Sequence, residues 1–294
     1  WLDLHRSQND LLFSMQRDDG KIPYRHSDSG WLDYRPPRAT HYIHVWNMSR
    51  DPGDLARIEA RFPDRDLWYT QPPRFGKAGH FGPERWFGYI AGENPDFPDQ
   101  VLEDTYTCMT QRLDKIENDN WADLENWDVH HWQDLNPVVP EGLVQMMMGT
   151  PAAIYHGGLL HASVRYFAPQ GGAQGGGCDH DHGACSCGGE DHTEAVRPGL
   201  PEGVAALVEK ITPEGIVLTL VNTDLLDGHD VIVQAGTFGE HCFTTAKPVG
   251  AAIAPVDVND NALRVNLGPW AQARLELGMQ RFTGAPTYEF PVIS

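Results

Sequence analysis

The feature that most constrains this chain is a change of hydrophobic period along its 294 residues. Residues 1–168 carry apolar side chains at spacings of three and four, the repeat of an amphipathic helix. From residue 200 onward the spacing is two, the repeat of a half-buried strand. Residues 169–199 form a Gly-, His- and Cys-rich stretch that cannot build a packed core. A helical pattern does not settle as a sheet, nor the reverse. The sequence therefore predicts a helical part over 1–168, a linker or long surface loop over 169–199, and a β part over 200–294.

Within the helical part, Leu4, Leu11, Leu12 and Met15 suit one face, with Gly20 where a helix stop belongs. Asp51-Pro52 is a start signal, a capping acid followed by Pro, and Leu55, Ile58 and Phe62 follow at helical spacing. The clearest helix begins near Pro98. Its residues Leu102, Tyr106, Met109, Leu113 and Ile116 make a stripe expected to pack as core. Another begins near Pro140 and is expected to bury Leu143, Val144, Met147 and Met148. In the β part, 216–222 and 230–234 read as strands joined through the turn Leu226-Asp227-Gly228. Leu263, Val265 and Leu267, then Ala273, Leu275 and Leu277, alternate with polar residues on either side of Gly268-Pro269, which predicts a hairpin. Several short strands at this spacing predict an antiparallel β-sandwich.

Composition removes several function classes. Asp+Glu is 41 against 22 Lys+Arg, a net charge of −19, which argues against nucleic-acid and anionic-membrane partners. No apolar run of about 18 residues exists, so no membrane-spanning segment is expected. Five Cys, an odd number, argue against a complete disulfide framework; a soluble protein is expected, with the cytoplasm favoured. A phosphate-cradling Gly loop, an H-E-x-x-H pair and a G-x-S-x-G elbow are all missing from the sequence.

The chemistry-bearing residues gather in aromatic, acidic loops: 17–34, 69–73, 81–86, and most densely Glu125-Asn126-Trp127-Asp128-Val129-His130-His131-Trp132-Gln133-Asp134. Rings cover the apolar face of a sugar, while carboxylates bond its hydroxyls or serve as acid and base. The pieces Asp19-Gly20-Lys21-Ile22-Pro23, Thr70-Gln71-Pro72-Pro73, Gly82-Pro83-Glu84-Arg85-Trp86 and Asn136-Pro137 through Glu141-Gly142 resemble loop motifs of the inverting glucosidase and trehalase-like group of carbohydrate-active enzymes. That resemblance implies a multidomain α and β fold, a helical (α/α)6 toroid followed by a β-sandwich. It also implies a glycoside hydrolase with Asp128 as the acid and Glu141 as the base. The loop Ser29-Gly30-Trp31-Leu32-Asp33 is a rival for the acid, although Leu32 interrupts its motif. Trp31, Trp127, Trp132 and Tyr155 are expected to line the sugar subsite, with His130 and His131 orienting hydroxyls. An inverting hydrolase holds its two carboxyls roughly 6.5–9.5 Å apart, leaving room for a water. A twelve-helix ring needs roughly 200 residues. The expectation is thus that further N-terminal chain, or a partner subunit, completes the helical part.

Fourteen His supply a competing class, a metal-dependent enzyme using His130, His131 and Asp134. Cys178, His180, His182, Cys185, Cys187 and His192 are soft and imidazole donors suited to zinc or copper, in a spacing that matches no tight zinc finger. The hydrolase reading itself requires no cofactor, and its partner is a small-molecule or oligosaccharide substrate. A third reading is a non-catalytic structural or binding subunit whose rings serve as packing.

Overall fold

The computed structural model describes residues 1–24, 33–70, 82–128, 131–132, 135–151, 161–170 and 195–291. The chain divides into two compact units, Trp1–Met146 with Thr150–His161, and Met147–Gly149 with Ala162–Ser294. The first contains helices α1 (Leu2–Ser14), α2 (Thr40–Ser49), α3 (Pro52–Arg61), α4 (Asp66–Thr70), α5 (Pro83–Ile90) and α6 (Phe97–Asn118). A small hairpin, β1 (Ile22–Tyr24) with β2 (Asp33–Arg35), separates α1 from α2. A 3-10 turn at Trp121–Asn126 follows α6, and α7 (Glu141–Met148) comes last.

The expected toroid is not found. Most of these helices run only five to thirteen residues, a hairpin interrupts them, and no large helical ring is formed. Long Gly- and Pro-bearing loops stop each helix too early to supply the paired long helices of a ring.

Local chemistry explains the helices that do form. The Asp51 carboxylate accepts from the Gly53 N–H at 2.6 Å and Pro52 occupies the first turn of α3, which buries Ile58 and Phe62. Asp54, 2% exposed, gathers Arg6 of α1 at 2.6 Å, Arg57 at 2.8 Å and the Ser49 hydroxyl at 2.6 Å. This hub, with the edge-on rings of Phe13, Tyr42 and Phe62, holds α1, α2 and α3 together.

Three of the sequence-predicted apolar faces point elsewhere. In α1, Leu4, Leu11 and Met15 are exposed, because Arg6, Asn9 and Phe13 form the inward row. Gly20, left-handed at φ 79°, closes the turn after α1 rather than the helix itself. In α6 the inward row is Phe97, Val101, Thr105 and Cys108, which leaves Leu102, Tyr106 and Leu113 exposed. In α7 the deep positions are Gly142, Gln145 and Met146, while Leu143, Val144, Met147 and Met148 are half-buried.

The second unit is built from antiparallel strands. A four-stranded sheet takes β3 (Val164–Pro169), β4 (Val196–Pro198), β7 (His229–Ala235) and β10 (Ala262–Leu267) in the order β10-β7-β3-β4. A five-stranded sheet takes β5 (Val204–Thr212), β6 (Gly215–Asn222), β8 (Cys242–Pro248), β9 (Val256–Asp260) and β11 (Gln272–Gln280) in the order β5-β6-β11-β8-β9. The strand β3 lies in the stretch read as helical from sequence; its Val164 and Phe167 are fully buried.

Two expected pairings are corrected. β6 and β7 are not a hairpin, nor are β10 and β11: in both cases consecutive strands belong to different sheets. The turn residues reverse the chain, but each turn crosses from one sheet to the other. Asn222 ties both crossings. Its buried amide donates to the Asp227 carbonyl at 2.8 Å and the Gly268 carbonyl at 2.9 Å, and its oxygen accepts from the Asp224 N–H at 2.9 Å. Among the described residues no helix is long and apolar enough to cross a membrane.

Candidate functional site

The densest cluster of rings and charges lies just beyond the C-terminal end of α6. The helix stops at Asn118, and Asp119 adopts an extended backbone that turns the chain into the 3-10 segment. The Trp121 indole N–H donates to the Ile116 carbonyl at 2.9 Å, one of the carbonyls that a helix end leaves without a partner. Arg112, about one turn earlier on α6, donates to the Asn136 carbonyl at 2.7 Å. The last turns of α6 therefore anchor both the Trp121 segment and the loop leading to α7.

Trp127 is the centre of the cluster. Its ring lies 5.2 Å from Trp121, 5.0 Å from Trp132 and 4.1 Å from the His131 imidazole. Trp121 and Trp132 are each about half exposed, so the rings are not used up as core. His131 Nε2 meets Asp119 Oδ2 at 2.6 Å, which fixes the imidazole beneath Trp127. Asp128 Oδ1 accepts from the His131 N–H at 2.8 Å, and the Asp128 carbonyl from the Trp132 N–H at 3.4 Å. The Asp128 carboxyl thus caps the turn that presents both rings, and the residue remains exposed.

Glu141 is the first residue of α7. Desolvation by burial raises its pKa, against the opposing pull of its own backbone N–H and of Arg112. Its Oε2 is buried and has no hydrogen-bond partner among the described residues. A carboxyl in that state holds its proton and can deliver it. A second carboxyl of this kind sits on α5. Burial likewise raises the Glu84 pKa, and Glu84 Oε1 accepts from the Thr40 hydroxyl at 3.0 Å.

Of the residues singled out from sequence, Trp127, Asp128, His131 and Trp132 are brought together, and Glu141 is tied to the same end of α6 through Arg112. Trp31, His130, Asp134 and Tyr155 lie outside the described residues, as do Cys178, His180, His182, Cys185, Cys187 and His192. Among the described residues, no group of three or more His, Cys, Asp and Glu is arranged to hold a metal ion. Sequence reasoning missed Asp119, Trp121 and Arg112. Trp121 had a signal, its spacing of six from Trp127; Asp119 and Arg112 had none.

A family model described as a domain of unknown function (DUF8034) matches residues 3–144, which include the whole ring cluster and Glu141. No curated protein and no solved structure matches the chain.

Proposed function

We propose that the first unit is carbohydrate-active and that its reaction is glycoside hydrolysis by paired carboxyls. The observation that carries this reading is the half-exposed platform of Trp121, Trp127 and Trp132, set beside the His131–Asp119 pair and tied through α6 to the protonated Glu141. Ring faces of this kind stack on the C–H face of a pyranose, and the imidazole and carboxylates around them suit its hydroxyls.

Burial favours the opposite role assignment to that implied by the family resemblance. A carboxyl with a raised pKa suits the general acid, so Glu141 is the residue that protonates the glycosidic oxygen as its bond to the anomeric carbon breaks. Asp128, exposed beside the platform, is the group that takes the proton from the attacking water. The Cys242 thiol lies outside any disulfide, which fits a reducing compartment such as the cytoplasm.

The test is turnover on an oligosaccharide panel. Glu141→Gln abolishes hydrolysis and leaves sugar binding intact, whereas Trp127→Ala weakens binding itself. Full turnover by Glu141→Gln refutes the acid assignment. Absence of any oligosaccharide binding by the wild-type chain refutes the reading as a whole.

A further inference from the structure

A cleft in the first unit is separate from the residues of that site. It opens between α1, the β1–β2 hairpin and the start of α2, and encloses about 480 Å3. That is the size range of pockets for small organic ligands, roughly 300–1,000 Å3. Its walls are mostly apolar: Leu12, Phe13, Ile22 and Pro36, with the ring of Tyr24.

Three polar groups interrupt those walls. Arg38 lies at the cleft, exposed, with no hydrogen bond or ion pair among the described residues. The carboxyl nearest to it in influence, Glu84, is kept protonated by burial and is engaged with Thr40, so it neutralises Arg38 little. Tyr42 is 5% exposed, and its hydroxyl is buried without a hydrogen-bond partner among the described residues. A buried hydroxyl left in this way costs about 1–3 kcal/mol, which a bound acceptor recovers. Burial also pushes the Tyr42 pKa up to about 12, so it remains a donor at neutral pH. His41 completes the wall. Partial desolvation lowers its pKa, with repulsion from His5 and Arg38 adding to the effect, so the imidazole is neutral and the cleft's fixed charge is that of Arg38.

We propose that this cleft binds a small ring-bearing monocarboxylate, its ring held among Phe13, Ile22 and Tyr24 and its carboxylate paired with Arg38. The apolar walls select the ring, the lone cation selects the anion, and Tyr42 donates to an oxygen of the ligand. An uncharged ring leaves Arg38 unanswered, and a carboxylate without a ring leaves the walls uncovered.

The experiment is calorimetric titration of the full chain with benzoate and phenylacetate, against benzyl alcohol and acetate as probes lacking one element each. Saturable binding of at least one aromatic acid is expected, with neither control binding comparably. Arg38→Gln, an exposed position whose change leaves the fold intact, is expected to weaken binding about tenfold, the loss of one charge-assisted pair. Tyr42→Phe keeps the ring packing on Phe13 and Phe62 and is expected to weaken binding several-fold, with an unchanged circular dichroism spectrum. The proposal is overturned if neither acid saturates by about 10 mM, a range that covers even millimolar affinity. It is overturned equally if benzyl alcohol binds as well as benzoate, or if Arg38→Gln binds benzoate unchanged. None of these outcomes depends on carbohydrate hydrolysis at the tryptophan cluster.

Discussion

Replacing Asn222 with Ala should loosen both places where the second unit's chain crosses between sheets. The substitution removes two donated hydrogen bonds, at 2.8 and 2.9 Å, and one accepted bond at 2.9 Å. Each is worth about 1 kcal/mol net, and a partner left buried without water costs more. Asp227 is exposed and its carbonyl can rehydrate, whereas Gly268 is half-buried and its carbonyl rehydrates less easily. The sum is a loss of about 3 kcal/mol, a large part of the stability of a domain this size. At about 3–5 °C per kcal/mol, it corresponds to a fall of about 10 °C in Tm. The sensitive assay is amide hydrogen exchange read on β6 and β11 peptides, because it reports the opening of this unit separately from the helical one. Protection at Leu218, Leu220 and Leu275 should fall by the full amount, while the amides of α3 stay unchanged. A loss below about 1 kcal/mol would show that the crossings are held by backbone bonds such as Trp270 N–H to Asp224 O, at 2.7 Å, and not by the Asn222 amide.

Asp54→Asn weakens the hub joining α1 to α3 by about 2 kcal/mol at pH 7, discounted because Arg6 and Arg57 are partly solvated. Burial opposes ionisation of Asp54, but the Arg6 and Ser49 hydrogen bonds and the charges of Arg6 and Arg57 outweigh it and lower its pKa. Its stabilisation is therefore complete above the ordinary carboxyl value of 3.8 and lost as pH falls through the lower folded value. Urea titrations of wild type and variant should converge in strong acid. Glu141 has the opposite sign. The folded chain holds its proton more tightly, so it costs stability as pH rises from the ordinary 4.5 through the raised value; Glu141→Gln removes that slope, which paired melts at pH 4 and pH 7 would reveal. Gly88→Ala places a Cβ 2.3 Å from the Tyr69 ring and should cost about 1–3 kcal/mol while displacing Tyr69 from its hydrogen bond to Glu93, seen as a lower melting temperature.

Some of this architecture was legible in the sequence and some could not have been. Asp51-Pro52 and the alternation of Leu263, Val265 and Leu267 act locally, so the α3 start and β10 could be read from neighbours alone. The period of α6 was equally plain, but period does not say which row faces inward; Val101 and Cys108 form a competing row, and tertiary packing chose it. Gly228 and Gly268 marked chain reversals correctly, yet a reversal within a sheet and one between sheets use the same residues. At the candidate site, Trp127, Asp128, His131 and Trp132 stood together because they are close in sequence. Asp119 joins His131 across twelve positions, and only the end of α6 makes them neighbours. The raised pKa of Glu141 depends on burial, which no local motif encodes.

The outward row of α6 also bears on how copies of the protein behave in solution. The helix is about 33 Å long, and Leu102, Tyr106 and Leu113 run along it exposed. A ridge of that kind attracts its like, and the net charge of −19 holds copies apart. The repulsion reaches about 10 Å at 0.1 M salt but only about 3 Å at 1 M. Added sulfate strengthens apolar attraction while it shortens that reach. Dilute buffer well above the pI of about 5.0 is thus the condition in which the chain stays dispersed, and concentrated salt or mild acid is where its solubility falls first.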